Sequence, residues 1–143
     1  MEVFQNHALL VSATAWAIAQ VLNVLIFFLQ ERQLDLWRLV SAGGMPSSHS
    51  ALVSALATEV ALIEGVQSIT FAVAVVFAAV VMYDAAGIRQ AVSIQARILN
   101  RMLDEYFKRQ RFSEERLREL LGHTRVEVFF GSLLGISIAL LWT

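Results

Sequence analysis

Three long runs of mostly apolar residues constrain the fold of this sequence more than any other feature. They occupy residues 8–29, 68–82 and 126–142, and Glu127 is their only charged residue. About 20 apolar residues in a helix cross a bilayer. Because lipid offers the backbone no hydrogen-bonding partners, a helix is the form that such a run takes there. Hydrophobic side chains make up 57% of the 143 residues and charged ones 16%, so the sequence predicts a small all-α membrane protein.

We predict a polytopic helical bundle of about four membrane helices, forming a single domain over residues 1–143. The predicted membrane helices are 8–29, 47–64, 67–86 and 124–142, and a cytoplasmic helical hairpin covers about 89–121. Glu59 is the one internal charge of the second helix, and Ser113 can cap the second arm of the hairpin after a bend. A signal peptide is the alternative for the first run, but no Lys or Arg precedes it and no cleavage site is evident.

The Lys and Arg residues are confined to two connections between the predicted helices. Arg32 and Arg38 lie in the first connection, and the other nine lie between residues 89 and 125. Two crossings separate these connections, so both are on the same side of the membrane. Because cytoplasmic loops are enriched in Lys and Arg, we expect a multi-pass cell-membrane protein with this side in the cytoplasm.

Composition also excludes several classes of function. The sequence has no cysteine, which excludes disulfides, thiolate catalysis and Cys-based metal sites. The formal net charge is −1, so nothing indicates a nucleic-acid partner.

The segment 41–50 reads as a loop that leads into a helix N-terminus. Gly44 permits a tight turn, and Pro46 suits the first helical turn. The free N–H groups that follow, together with Ser47 and Ser48, can hold an anion, and His49 can exchange a proton near neutral pH. The alternative is that Ser47 or Ser48 only caps the helix and His49 is an ordinary polar residue at its end.

Two further pairs of polar residues lie at the ends of predicted membrane helices. His123 and Glu127 are four residues apart, so the carboxylate can orient the imidazole as a nucleophile, or the two can be ordinary surface partners. Asp84 and Arg89 can be an interfacial ion pair, or Arg89 can hold phosphate oxygens with Asp84 orienting it.

Three ordered motifs carry a resemblance to a known family. They are Gly-Gly-Met-Pro-Ser-Ser-His-Ser-Ala at 43–51, Tyr-Asp-Ala-Ala-Gly-Ile-Arg at 83–89 and Leu-Leu-Gly-His-Thr at 120–124. Together they resemble the divergent branch of the type-2 phosphatidic acid phosphatases, which is related to acid phosphatases and vanadium haloperoxidases. The resemblance implies that His49 is the general acid and His123 the nucleophile. It also implies that Glu127 orients His123, where the wider superfamily has Asp.

The sequence departs from the superfamily pattern at its first motif, a Lys followed at a distance by Arg-Pro. Asn23 and Arg32 lie near the expected place. The Ser-Arg that usually precedes the nucleophilic histidine is also absent, which leaves Arg89 as the first choice to supply that charge and Arg97, Arg116 or Arg118 as alternatives. The resemblance implies no required cofactor, although Mg²⁺ at Asp84 could replace the missing Lys charge.

The resemblance and the residues together predict a phosphatase that acts on a membrane lipid with a phosphate head group, at the cytoplasmic face. A phosphatidylglycerophosphate-like phosphomonoester is the first choice of substrate, phosphatidic acid the second, and polyprenyl diphosphates fit less well. Two alternatives stay open: a non-catalytic binder of lipid phosphates, and a transporter or assembly partner that uses Asn23 and Glu59 as intramembrane contacts. The sequence leaves the oligomeric state open, a homo-oligomer included.

Overall fold

The chain folds into a helical bundle. The computed structural model describes residues 6–32, 44–107 and 124–142, except for the side chains of 31, 87–93 and 104–107. All regular structure in these residues is helical, which confirms the predicted all-α class. The helices are α1 (His7–Glu31), α2 (Ser48–Glu64), α3 (Ile69–Phe107) and α4 (Arg125–Trp142).

Three of these helices are long and apolar enough to cross a membrane. The spans are His7–Gln30, Ile69–Ala86 and Arg125–Trp142. Helix α2 has 17 residues and is about 25 Å long, shorter than a hydrocarbon core of about 30 Å. The predicted count of about four membrane helices therefore becomes three spans and one short inner helix.

Helix α2 is the centre of the bundle and packs against the other three helices. Its buried residues are Ser48, Ser50, Ala51, Val53, Ser54, Ala55, Glu59 and Val60. Most of these side chains are small. Because lipid tails are as apolar as leucine, membrane helices associate through close packing of small residues. Large apolar side chains such as Leu25, Phe77 and Leu141 are accordingly exposed on the outside of the bundle.

Helices α2 and α4 make the closest contact in the described bundle. A Cβ added at Gly131 would lie 2.3 Å from the Ser47 carbonyl oxygen, and one at Gly135 would lie 2.2 Å from that of Ala51. The Ser54 hydroxyl donates to the Ser132 carbonyl at 3.1 Å. Residue numbers rise together on the two helices, so α2 and α4 are parallel and both begin at the same end of the bundle.

Helix α3 runs without a break from the third predicted membrane helix into the first part of the predicted hairpin. Its apolar part, Ile69–Ala86, lies within the predicted membrane helix 67–86, and the helix then continues to Phe107, 39 residues in all and about 58 Å long. A single Gly inside a helix costs about 1 kcal/mol, and no proline follows Gly87, so the helix continues. The predicted bend at 111–113 and the second arm lie outside the described residues.

Candidate functional site

Helix α2 begins with Ser47 as its N-cap. Ser47 Oγ accepts hydrogen bonds from the Ser50 N–H at 3.4 Å and the Ser50 hydroxyl at 3.0 Å. Of the two serines that the sequence offered as caps, the structure therefore selects Ser47. Pro46 precedes the cap and lies outside the first helical turn in which we predicted it. Ser47 and Ser48 are buried, whereas His49 is exposed.

The start of α4 lies directly beside the start of α2. The Ser47 N–H donates to the Glu127 carbonyl oxygen at 3.0 Å, and Gly131, one turn further on, allows the two backbones to meet. Each helix N-terminus carries unpaired N–H groups and a partial positive charge. Two such ends side by side form a place where an anion is stabilised.

Glu127 belongs to a capping box at the start of α4. Its carboxylate Oε2 accepts from the Thr124 N–H at 2.8 Å, and its own N–H donates to Thr124 Oγ1 at 3.3 Å. This reciprocal pair stabilises the first turn of the helix. His123, which Glu127 was predicted to orient, lies outside the described residues and immediately precedes Thr124 in the sequence.

Asn23 and Gly44, both predicted to bind substrate, are in contact. Asn23 is 3% exposed, and its Nδ2 donates to Gln20 Oε1 at 3.4 Å. A Cβ added at Gly44 would lie 2.9 Å from Asn23 Oδ1, and the φ of Gly44 is 122°. A side chain is excluded there both by space and by backbone conformation. The amide of α1 therefore lies against the loop that leads into α2.

Arg32, Asp84 and Arg89 were also predicted to bind substrate, and none of them has a described contact with the starts of α2 and α4. Arg32 is exposed and has a left-handed backbone conformation at the C-terminal cap of α1. Asp84 is exposed on α3, and Arg89 lies in the same helix with its side chain outside the described set. Among the described residues, no group of three His, Cys, Asp or Glu side chains could hold a metal ion.

Sequence reasoning missed a polar pair at the opposite end of α2. Glu59 is 1% exposed, and its Oε1 lies 2.5 Å from Nδ1 of His7, whose side chain is 48% exposed. Glu59 is twelve positions after Ser47, which places the His7–Glu59 pair about 18 Å from Ser47 along the axis of α2. A carboxylate inside an apolar helix requires a partner. The sequence could therefore have predicted that Glu59 has a polar partner on a neighbouring helix. His7, at the start of α1, is that partner.

Comparison with known proteins adds two findings. The model of the Divergent PAP2 family matches residues 4–138. The Bacillus subtilis (strain 168) protein named "Uncharacterized membrane protein YuiD" is 43% identical over 152 residues, an alignment that covers 98% of this chain and 96% of that protein. No solved structure matches the chain.

Proposed function

The chain belongs to the Divergent PAP2 family, and from that premise we propose that this multi-pass membrane protein is a lipid-phosphate phosphatase. One observation carries the proposal: the hydrogen bond from the Ser47 N–H to the Glu127 carbonyl. It joins the start of α2, which contains His49, to the start of α4, which His123 precedes by two residues in the sequence. This supports a site in which the proposed acid and the proposed nucleophile act on one phosphate.

The reaction that we propose proceeds in two steps. In the first, an imidazole nitrogen of His123 attacks the phosphorus, and a P–N bond forms as the P–O bond to the lipid breaks. His49 donates its proton to the departing lipid oxygen. In the second step, water attacks the phosphohistidine, His49 accepts the proton of that water, and inorganic phosphate leaves with His123 restored.

The positive charge needed for this chemistry comes from three sources in the proposal. The N-terminal ends of α2 and α4 supply partial charges that do not need to move during the reaction. Arg89 supplies a guanidinium that can contact two phosphate oxygens at once, and Arg32 adds a second cation. Ser48 adds a hydroxyl at the N-terminus of α2, next to the Ser47 cap, that can donate to a phosphate oxygen.

The substrate that we propose is a lipid with a phosphomonoester head group. The α2 and α4 starts are the ends of helices that lie in the bilayer, so a phosphate bound there is at head-group level. The distribution of Lys and Arg assigns this end to the cytoplasm, which favours lipids of the inner leaflet. A phosphatidylglycerophosphate-like lipid is the first choice and phosphatidic acid the second; polyprenyl diphosphates are a weaker fit.

A second candidate function is binding of lipid phosphate without hydrolysis. The observation that favours it is Asn23, a buried neutral amide near the place where the superfamily pattern has a Lys. A site without that lysine has less positive charge with which to stabilise a transferring phosphoryl group. A protein of this kind would keep the anion site of the two helix starts and would tolerate the loss of either histidine.

The experiment that separates the two candidates measures inorganic phosphate released by the purified protein in detergent. The substrates are phosphatidylglycerophosphate, phosphatidic acid and a polyprenyl diphosphate, each with a short or solubilised chain. A phosphatase releases phosphate from at least one of them, and His123→Ala abolishes the release. The Ser137→Ala variant is the matched control, because this exposed serine of α4 donates only to the Leu133 carbonyl of its own helix. Binding of these lipids with no release from any of them would favour the non-catalytic candidate.

A further inference from the structure

Helices α1 and α2 meet along two facing stripes of residues with four-residue spacing. On α1 the stripe is His7, Val11, Ala15, Ala19 and Asn23, and on α2 it is Glu59, Ala55, Ala51 and Ser47, followed by Gly44 in the loop. The two directly observed contacts are His7 with Glu59 and Asn23 with Gly44. Both contacts agree with a single antiparallel register, because the later residue of α1, Asn23, meets the earlier residue of the partner segment, Gly44.

The middle of this interface does not specify the register by itself. Val11, Ala15, Ala19, Ala51 and Ala55 are all fully buried in one cluster. A slip of one helical turn, about 5.4 Å, would again place small apolar residues against small apolar residues. The packing energy of these small residues therefore differs little between the observed register and a register shifted by one turn.

The buried carboxylate at one end of the stripe is costly for stability. Glu59 is 1% exposed, and its second oxygen, Oε2, is buried without a hydrogen-bond partner in the described part of the chain. Replacing a buried ion pair by apolar residues of similar size is often neutral or stabilising. The best-attested use of such a buried polar group is to select one register among several.

We infer that the His7–Glu59 pair sets the register of α1 on α2 and thereby positions Asn23 against Gly44 at the far end of the stripe. A slip of one turn separates His7 from Glu59 and removes Asn23 from Gly44 at the same time. His7 and Glu59 are thus positioning residues about 18 Å from the site. The role of the pair in setting the register does not depend on what the protein does, whereas the effect of the register on activity rests on the proposed phosphatase function.

Disulfide cross-linking in membranes tests the register, because the chain has no cysteine of its own. The in-register pairs are Ala15→Cys with Ala51→Cys and Val11→Cys with Ala55→Cys. The pair shifted by one turn is Ala15→Cys with Ala55→Cys, whose positions are displaced along the helix axis by about 5.4 Å relative to the facing positions, which disfavours a disulfide in the observed register. In the otherwise native chain we expect the two in-register pairs to form a disulfide and the shifted pair to remain reduced.

The variant that tests the inference carries His7→Leu and Glu59→Leu. We expect its melting temperature in detergent to equal or exceed that of the native chain, while the shifted cysteine pair now forms. Activity without added cysteines should fall at least tenfold in kcat/KM. Glu59→Gln, which still accepts from Nδ1 of His7, should keep the native cross-linking pattern, and Ser137→Leu on the outer face of α4 serves as the control for added leucine.

The inference is overturned if the double leucine variant cross-links only through the in-register pairs, or if Glu59→Gln loses the register. Should the double variant not fold, Glu59→Leu alone gives the same test, because it removes the buried carboxylate and leaves only His7, whose side chain is half-exposed, without its partner. Cross-linking does not depend on catalysis. A native chain that hydrolyses no lipid phosphate but shows the expected cross-links would contradict the proposed function and leave the register inference standing.

Discussion

The Ser47 N–H and the Glu127 carbonyl oxygen are 3.0 Å apart, and this hydrogen bond joins the starts of two parallel helices. Ser47 is fully buried, and the contact is possible only because Gly131 presents no side chain to the Ser47 carbonyl. The geometry of the proposed phosphate site therefore depends on how closely α4 approaches α2.

We predict that Gly131→Ala destabilises the bundle and lowers activity. The added Cβ would lie 2.3 Å from a backbone oxygen, which cannot move aside as a flexible side chain could. Overpacking of this kind costs about 1–3 kcal/mol. Thermal unfolding in detergent measures the loss, with Ser137→Thr, which adds a methyl group to an exposed residue of α4, as the control. An unchanged melting temperature would mean that the two helices do not need this close approach.

Ser47→Ala and Ser48→Ala should separate a structural serine from a functional one. Ser47 caps α2, so its loss should cost about 1 kcal/mol of stability as well as activity. Ser48 is not the cap of α2, so its loss should leave the melting temperature unchanged and lower only the rate of phosphate release. Melting curves and rates of both variants check this, and a Ser48→Ala protein of native activity would exclude that hydroxyl from phosphate binding.

Glu127→Gln tests whether Glu127 does more than cap α4. Gln can replace Glu in a capping box, so stability should be preserved. If the carboxylate also orients His123 and stabilises its positive charge, the rate should fall at least tenfold. The measurement pairs phosphate release with the melting temperature. Native activity in a stable Glu127→Gln protein would confine Glu127 to the cap.

The proposed orientation, with the Lys- and Arg-rich side in the cytoplasm, predicts which side reacts with an impermeant thiol reagent. Cysteine at Gln67, in the turn between α2 and α3, should be labelled from outside intact cells. Cysteine at Gln110 should be labelled only after the membrane is opened, because the Lys and Arg residues lie on its side. The reverse pattern would place the helix starts outside the cell and would remove the preference for an inner-leaflet lipid.

The sequence was most informative where one local feature decides the structure. Apolar run length predicted the α1 and α4 spans, and a hydroxyl after the turn predicted the start of α2 within about one residue. Hydropathy separated the apolar part of α3 from its charged part but did not show that the two form one helix, which a single Gly at position 87 is too small a penalty to break. His7 and Glu59 are 52 residues apart, so their contact depends on the antiparallel register of α1 and α2. The bond between Ser47 and Glu127 likewise depends on how two distant helices pack.

The most direct test of the account compares phosphate release by His123→Ala and His49→Ala on two substrates, a lipid phosphate and an aryl phosphate with an acidic phenol. Loss of the nucleophile should abolish turnover of both substrates, by about a thousandfold or more. Loss of the general acid should spare the aryl phosphate, because its leaving group needs no proton. We therefore predict partial rescue of His49→Ala, but not of His123→Ala, on the aryl substrate. Equal losses for both variants on both substrates would contradict the assigned roles, and native rates in His123→Ala would contradict the phosphohistidine mechanism itself.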